Sequence, residues 1–182
     1  MAEKSSFVPD LDAAARGYAA FLSALGVGTP ESGHSPEAVE HAARLAATLM
    51  ADWMRGISAP RPSLSPMPAP DGQRVALRGI PFCSICGHHF VPFFGTVDVE
   101  YVPSECIAGL GGFSRIIDHY ARRPQFQEDL CAQIADHIVA DLHPAAVRVR
   151  IRARQMCLEM QGRGTGIEVE STCVRGDESR LG

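Results

Sequence analysis

Val147-Arg148-Val149-Arg150-Ile151-Arg152-Ala153-Arg154-Gln155-Met156-Cys157 decides how this chain is read, because apolar and charged residues alternate from Val147 to Arg154 without a slip. A strict period of two predicts a half-buried strand. Val147, Val149, Ile151, Ala153, Gln155 and Cys157 share one face, and Arg148, Arg150, Arg152 and Arg154 share the other. Parity therefore makes Gln155 a candidate to look into any site that Cys157 helps to build. The arginine row admits an anion-binding reading. The ordinary one is favoured, because Asp98 and Glu100 lie on the polar face of a second alternating stretch, Thr96 to Tyr101. Opposite charges across neighbouring strands are common sheet stabilisers, worth a few tenths of a kcal/mol or more.

Outward from this strand the periodicity changes from two to 3.6 and back. Val75 and Leu77 alternate with Ala76 and Arg78, and Ile167 with Val169 suggests a last strand. Between them Phe113, Ile116, Ile117 and Tyr120 lie on one helical face; Pro124 then opens a longer helix carrying Phe126, Leu130, Ile134, Ile138 and Leu142, stopped at His143-Pro144. The order is ββααββ, an α+β class. Upstream, helices are expected at about 10–25 and 35–56, the second with Ser35 as N-cap and Pro36 at its first position. Ser58 to Gly72 carries Pro60, Pro62, Pro66, Pro68 and Pro70, and reads as an extended linker without a regular element. The expected organisation is a helical extension over 1–57, a linker over 58–72 and a catalytic domain over 73–182.

Composition narrows the function class. A chain of 182 residues that is 46% hydrophobic can bury one substantial core. A formal net charge of -4 speaks against nucleic acid or an anionic membrane surface as partner, leaving a small molecule as the expected ligand. Nothing resembles a leader, and no segment nears the roughly 20 apolar residues of a membrane span, so a cytoplasmic protein is expected. The six cysteines are expected to be free or metal-bound rather than a disulfide framework.

Cys86-Gly87-His88-His89 and the distant Cys157 supply two thiols and an imidazole, a donor set suited to zinc. Three protein ligands leave a position open for water, the arrangement of a hydrolytic centre. Spacing alone also admits a closed structural site of Cys83, Cys86, His89 and Cys157, or a redox pair at Cys83-Ser-Ile-Cys86.

From about Val75 to Gly162 these residues resemble the GTP cyclohydrolase I family. Its hallmarks are Cys-Glu-His-His, Gly-Leu-Ser-Lys, Arg-Pro-Gln-x-Gln-Glu and His-x-Cys. Here they read Cys86-Gly87-His88-His89, Gly109-Leu110-Gly111-Gly112, Arg123-Pro124-Gln125-Phe126-Gln127-Glu128 and Gln155-Met156-Cys157. In the second N-terminal helix Arg44 falls at the arginine of the family's Thr-Pro-x-Arg, with His41-Ala42-Ala43 in place of the rest. The resemblance implies a tunnelling fold, an antiparallel ββααββ sheet with two helices on one face. It also implies a homo-oligomeric ring, typically a decamer, with active sites shared between subunits. Zn2+ is implied on Cys86, His89 and Cys157, leaving Cys83 aside. His88 becomes a proton-transfer residue near the ribose, Glu128 with Gln127 holds the guanine edge, and Arg44 and Arg115 bind anions. In the family, zinc-bound water attacks the purine imidazole ring, formate leaves, and the ribose closes into a pterin.

The departures point one way. Gly111, Gly112 and Gln161 stand where the family keeps phosphate-binding serine, lysine and arginine, and Arg163 lies two residues beyond the last. Each lost charge-assisted contact costs about 1.5–3 kcal/mol. A lysine restored at Gly112 is accordingly expected to raise triphosphate affinity. Gln155 replaces a histidine that protonates the substrate, and an amide cannot exchange protons near neutral pH. Gly87 removes a further carboxylate. The expected activity is a zinc-dependent hydrolase acting on a guanine-type purine or pterin ring without a triphosphate: a nucleoside, base or monophosphate. The alternatives are an orthodox GTP cyclohydrolase I making dihydroneopterin triphosphate and formate for folate synthesis, and a non-catalytic zinc-binding, ring-forming relative.

Overall fold

The computed structural model of the chain describes residues 7–70, 73–162 and 164–181. The chain divides into two units, Met1–Ser58 and Ala59–Gly182. In the first, Asp10 caps α1 (Leu11–Ala24) by accepting from the Ala13 amide at 2.9 Å. Ser35 caps α2 (Pro36–Trp53) by accepting from Ala38 at 3.2 Å. Such caps satisfy amides that have no helical partner and are each worth about 1 kcal/mol. The buried positions are mostly small, Ala15 on α1 and Ala43 and Ala47 beside Val39 on α2, and let the two helices approach closely. The end expected at Gly56 falls in a short turn, Arg55–Ile57, beyond α2.

The second unit runs β1 (Pro66–Pro68), β2 (Val75–Cys86), β3 (Pro92–Val102), β4 (Cys106–Ala108), α3 (Leu110–Ala121), β5 (Pro124–Gln125), α4 (Gln127–Leu142), β6 (Ala146–Gln155), α5 (Met156–Glu159) and β7 (Glu168–Gly176). Its main sheet has the order β5-β2-β3-β6-β7, antiparallel except for the short parallel pair β5-β2. The long elements reproduce ββααββ, with α3 and α4 covering one face, as a tunnelling fold requires. That face buries Val97, Val99, Val149 and Ile151 beneath Phe113, Ile134 and Ile138, all fully buried. Each aliphatic side chain so buried contributes about 1.5–3 kcal/mol.

On the other face the arginine row is a cross-strand charge ladder. Asp98 lies opposite Arg150 and Glu100 opposite Arg148, and Asp98 is bound by Arg152 at 2.7 Å. Glu100 meets Arg74 at 3.2 Å and Arg148 at 3.7 Å. The two carboxylates are only 5% and 6% exposed, and burial at that level demands cationic partners.

Three local expectations are corrected. The proline-rich stretch is not free of regular structure: Pro66–Pro68 pairs with β4, and Leu64 is fully buried. A two-stranded ribbon tolerates proline because one side of each strand needs no partner. This stretch is also pinned to α4, Arg61 Nη2 and the Leu64 amide donating to Asp141 at 2.8 Å each. Pro124 does not open a helix. It pairs with Ile85 in β5, and α4 starts at Gln127. Finally, β6 ends at Gln155 and Cys157 lies in the helical turn α5, so the parity argument does not govern Cys157. Among the described residues, no helix is long and apolar enough to cross a membrane.

Candidate metal centre and ligand cleft

Cys86 is the last residue of β2, and the chain turns back immediately after it. The Phe90 amide donates to the Cys86 carbonyl at 2.9 Å, the Cys86 amide to the Val91 carbonyl at 2.9 Å, and Phe90 takes a left-handed φ of 53° to close the turn. This hairpin carries His89 over Cys86, bringing Nδ1 to 3.8 Å from Sγ. Cys157 arrives from α5, and the three donor atoms lie within 4.8 Å of one another. Donors of a tetrahedral zinc stand about 3.5–3.8 Å apart. The Cys86–His89 pair already has that spacing, and the whole triangle stays within about an ångström of it.

Burial, and then the neighbouring Cys86 thiol, push the Cys157 thiol up. Two crowded thiols resist ionising together, and a divalent cation between them reverses that preference. Cys83 is not among the converging donors: three residues from Cys86 on one strand, it projects to the opposite face. Its thiol is pushed up by burial. All six cysteines are free.

Beside the donors lies a cleft of about 210 Å³, lined among others by Cys86, Phe93, Phe126, Glu128, Gln155 and Cys157. Glu128 is exposed in the first turn of α4, where a negative charge is favoured by the helix dipole. The exposed His88 packs edge-on against Phe126 at 4.9 Å and against His89 at 5.8 Å. Gln155 reaches the cleft from the end of β6, its Nε2 donating to Gln127 Oε1 at 2.7 Å. Gln127 is 3% exposed and spends its own Nε2 on the Ile151 and Val169 carbonyls.

Of the candidate anion-binding residues on this unit, the described Arg115 is not among those lining the cleft. Arg115 is exposed on α3, its guanidinium beside Gly111 and Gly112 at the helix start. Arg44 sits on α2 of the N-terminal unit, 3.6 Å from Glu40. Arg163 lies outside the described residues. Gly112 is more than a missing lysine: a Cβ there would stand 2.8 Å from Leu64 Cδ2, and Leu64 is fully buried. A lysine at 112 therefore has a packing cost that sequence alone did not reveal. Phe93, Leu158 and Val169 also line the cleft, and the sequence did not mark any of them as a site residue. They lie on β3, α5 and β7, and only the folded sheet brings them together.

Comparison with known proteins agrees with this geometry. A family model described as GTP cyclohydrolase I matches residues 18–180. GTP cyclohydrolase 1 of Geobacillus kaustophilus is 45% identical over 104 residues, 56% of this chain and 55% of that protein. GTP cyclohydrolase 1 of Helicobacter hepaticus is 32% identical over 144 residues, 77% of this chain and 69% of that protein. The matches to the most similar of these relatives span only about half of their length. The crystal structure of the archaeosine synthase QueF-Like in the apo form aligns with 60% of this chain and 97% of that one, at a TM-score of 0.46 and 23% identity. With a ββααββ sheet, a Cys-His-Cys donor triangle and a match running from α1 almost to the last described residue, the chain belongs to the GTP cyclohydrolase I family.

Proposed function

We propose that this chain is a zinc-dependent hydrolase that opens a guanine-type ring, with Cys86, His89 and Cys157 as metal ligands and Glu128 as the anchor of the ring. The observation that carries this reading is the convergence of three donors within 4.8 Å at a cleft that Glu128 also lines. A carboxylate suits the anchor because the ring nitrogen and amino group of a 2-amino-4-oxo ring present two parallel N–H donors. Zinc, when bound, supplies Lewis acidity that activates water at neutral pH. His88 offers an imidazole, the side chain suited to moving protons in this range, at the wall formed with Phe126. Gln155 can orient a ligand but cannot exchange a proton.

The favoured substrate lacks a triphosphate. Gly111 and Gly112 offer no side-chain charge at the start of α3, and Arg115 stands there without the family's serine and lysine. A second reading, turnover of GTP itself, is favoured by that same guanidinium. It lies 3.7 Å from where a Gly111 Cβ would sit, beside a helix N-terminus, a combination that attracts phosphate. The relatives' names point the same way. We expect a homo-oligomer, a decameric ring by family, with sites shared between subunits; light scattering checks this.

The deciding experiment incubates the zinc-loaded chain with GTP, GMP, guanosine and guanine, with mass spectrometry of the products. Water addition or formate loss confined to the substrates without a triphosphate supports the first reading. Efficient conversion of GTP to a neopterin triphosphate supports the second. No turnover of any of them refutes both and leaves the non-catalytic alternative.

A further inference from the structure

The glutamines around the cleft have amides whose orientation their neighbours dictate. Gln127 Nε2 lies 3.2 Å from the Ile151 carbonyl oxygen and 3.0 Å from that of Val169. A carbonyl only accepts, so the nitrogen must face these strands and Oε1 must face away. That oxygen is 2.7 Å from Gln155 Nε2 and accepts from it. The relay holds the nitrogen of Gln155 toward Gln127 and leaves its Oε1 as the atom offered to the cleft. Gln125 repeats the pattern. Its Nε2 donates to the Tyr120 and Arg123 carbonyls, and its Oε1 is buried without a hydrogen-bond partner among the described residues. With the Glu128 carboxylate, the cleft lining is rich in acceptors.

We propose that Gln127 is a positioning residue that locks Gln155 as a hydrogen-bond acceptor, so that the cleft selects a ring whose nitrogen at that position carries a hydrogen. The inference rests on the reading of the cleft as a guanine-ring site. With the amino edge on Glu128, the imidazole edge is what remains to meet Gln155. Guanosine presents a bare N7 there, a lone pair facing the lone pairs of Oε1 until N7 takes up the proton that ring opening requires. 9-Deazaguanosine has the same shape but carries a hydrogen on N7, and it would donate. Buried polar mismatches discriminate strongly because the unpaired group keeps its full desolvation cost.

The test is calorimetric titration of the zinc-loaded full chain with each nucleoside. The unmodified chain is expected to prefer 9-deazaguanosine by about tenfold or more. Gln155→Leu should bring the ratio near one while zinc content is unchanged. Gln127→Leu, which frees the Gln155 amide to turn, should shrink the preference while zinc content is unchanged. A merely structural role for Gln127 would weaken both nucleosides equally and leave the ratio intact, which overturns the proposal. Equal affinities in the unmodified chain, or a preference for guanosine, overturn it while leaving the ring reading standing. Binding of neither nucleoside overturns both. Should Gln127→Leu fail to fold, the unmodified ratio and Gln155→Leu still decide.

Discussion

Replacing Gly112 by alanine tests whether this glycine is a packing requirement rather than simply a vacated lysine position. The added Cβ would stand 2.8 Å from Leu64 Cδ2, against a comfortable carbon–carbon separation of about 3.5–4.0 Å. Leu64 has little room to retreat: it is fully buried, and its amide is held by Asp141 at 2.8 Å. Overpacking of this kind costs about 1–3 kcal/mol. Glycine-to-alanine in a helix returns about 1 kcal/mol, so a net loss of about 0–2 kcal/mol is expected. In a Leu64→Ala background, itself costing about 2–5 kcal/mol, the clash disappears and the same substitution should stabilise by up to about 1 kcal/mol. Urea denaturation of the parent, both single variants and the double variant, followed by circular dichroism, gives the coupling, expected at about 1–3 kcal/mol. Stabilisation by Gly112→Ala in both backgrounds, with coupling near zero, would refute the packing argument and return Gly112→Lys to a simple charge restoration.

Three further outcomes are expected. Cys157→Ser should lower zinc content well below one ion per chain on metal analysis, whereas Cys83→Ser, on the opposite face of β2, should leave it unchanged. Gly95→Ala should unfold or dislocate the β3–β6 pair, because its Cβ would fall 1.9 Å from the Arg152 carbonyl oxygen; an unchanged midpoint in thermal unfolding would contradict the register. His137 has its pKa lowered, first by burial and then by Arg61, and its Nδ1 accepts from Arg61 at 3.2 Å. A depressed folded pKa means stability present above the unfolded value, about 6.5, and lost as pH falls through the folded one. Urea midpoints should therefore drop between pH 7 and 5, less steeply in His137→Gln.

How much the sequence revealed depended on the range of the interactions involved. The alternation of β6, the acids of β3 and the helical stripes of α3 and α4 were legible because a period of two or 3.6 is written locally by burial on one face. The candidate donors Cys86, His89 and Cys157 came from the family resemblance, because spacing alone left Cys83 open; the fold sets Cys83 aside by turning its side chain to the other face of β2. What escaped depended on partners far away in the chain. Pro66–Pro68 becomes a strand only because β4 lies opposite. Pro124 leaves its expected helix because β2 offers a parallel edge. The roles of Gln125 and Gln127 reside in which main-chain carbonyls stand near their amides, and no side-chain pattern encodes that.

The two-residue strand β5 has a consequence out of proportion to its size. Cys86 lies beside Gln125, and the Gly87 amide donates to the Gln125 carbonyl at 3.0 Å. The turn that carries Cys86 and His89 and the first turn of α4 that carries Glu128 are thus fastened by one short clip. If metal and ring bind as proposed, the clip offers a route between them, and linkage makes any influence mutual: whatever factor the metal applies to ring affinity, the ring applies to metal affinity. The Gly87 amide sits in that fastening, and its exchange rate in heavy water would register both events as one.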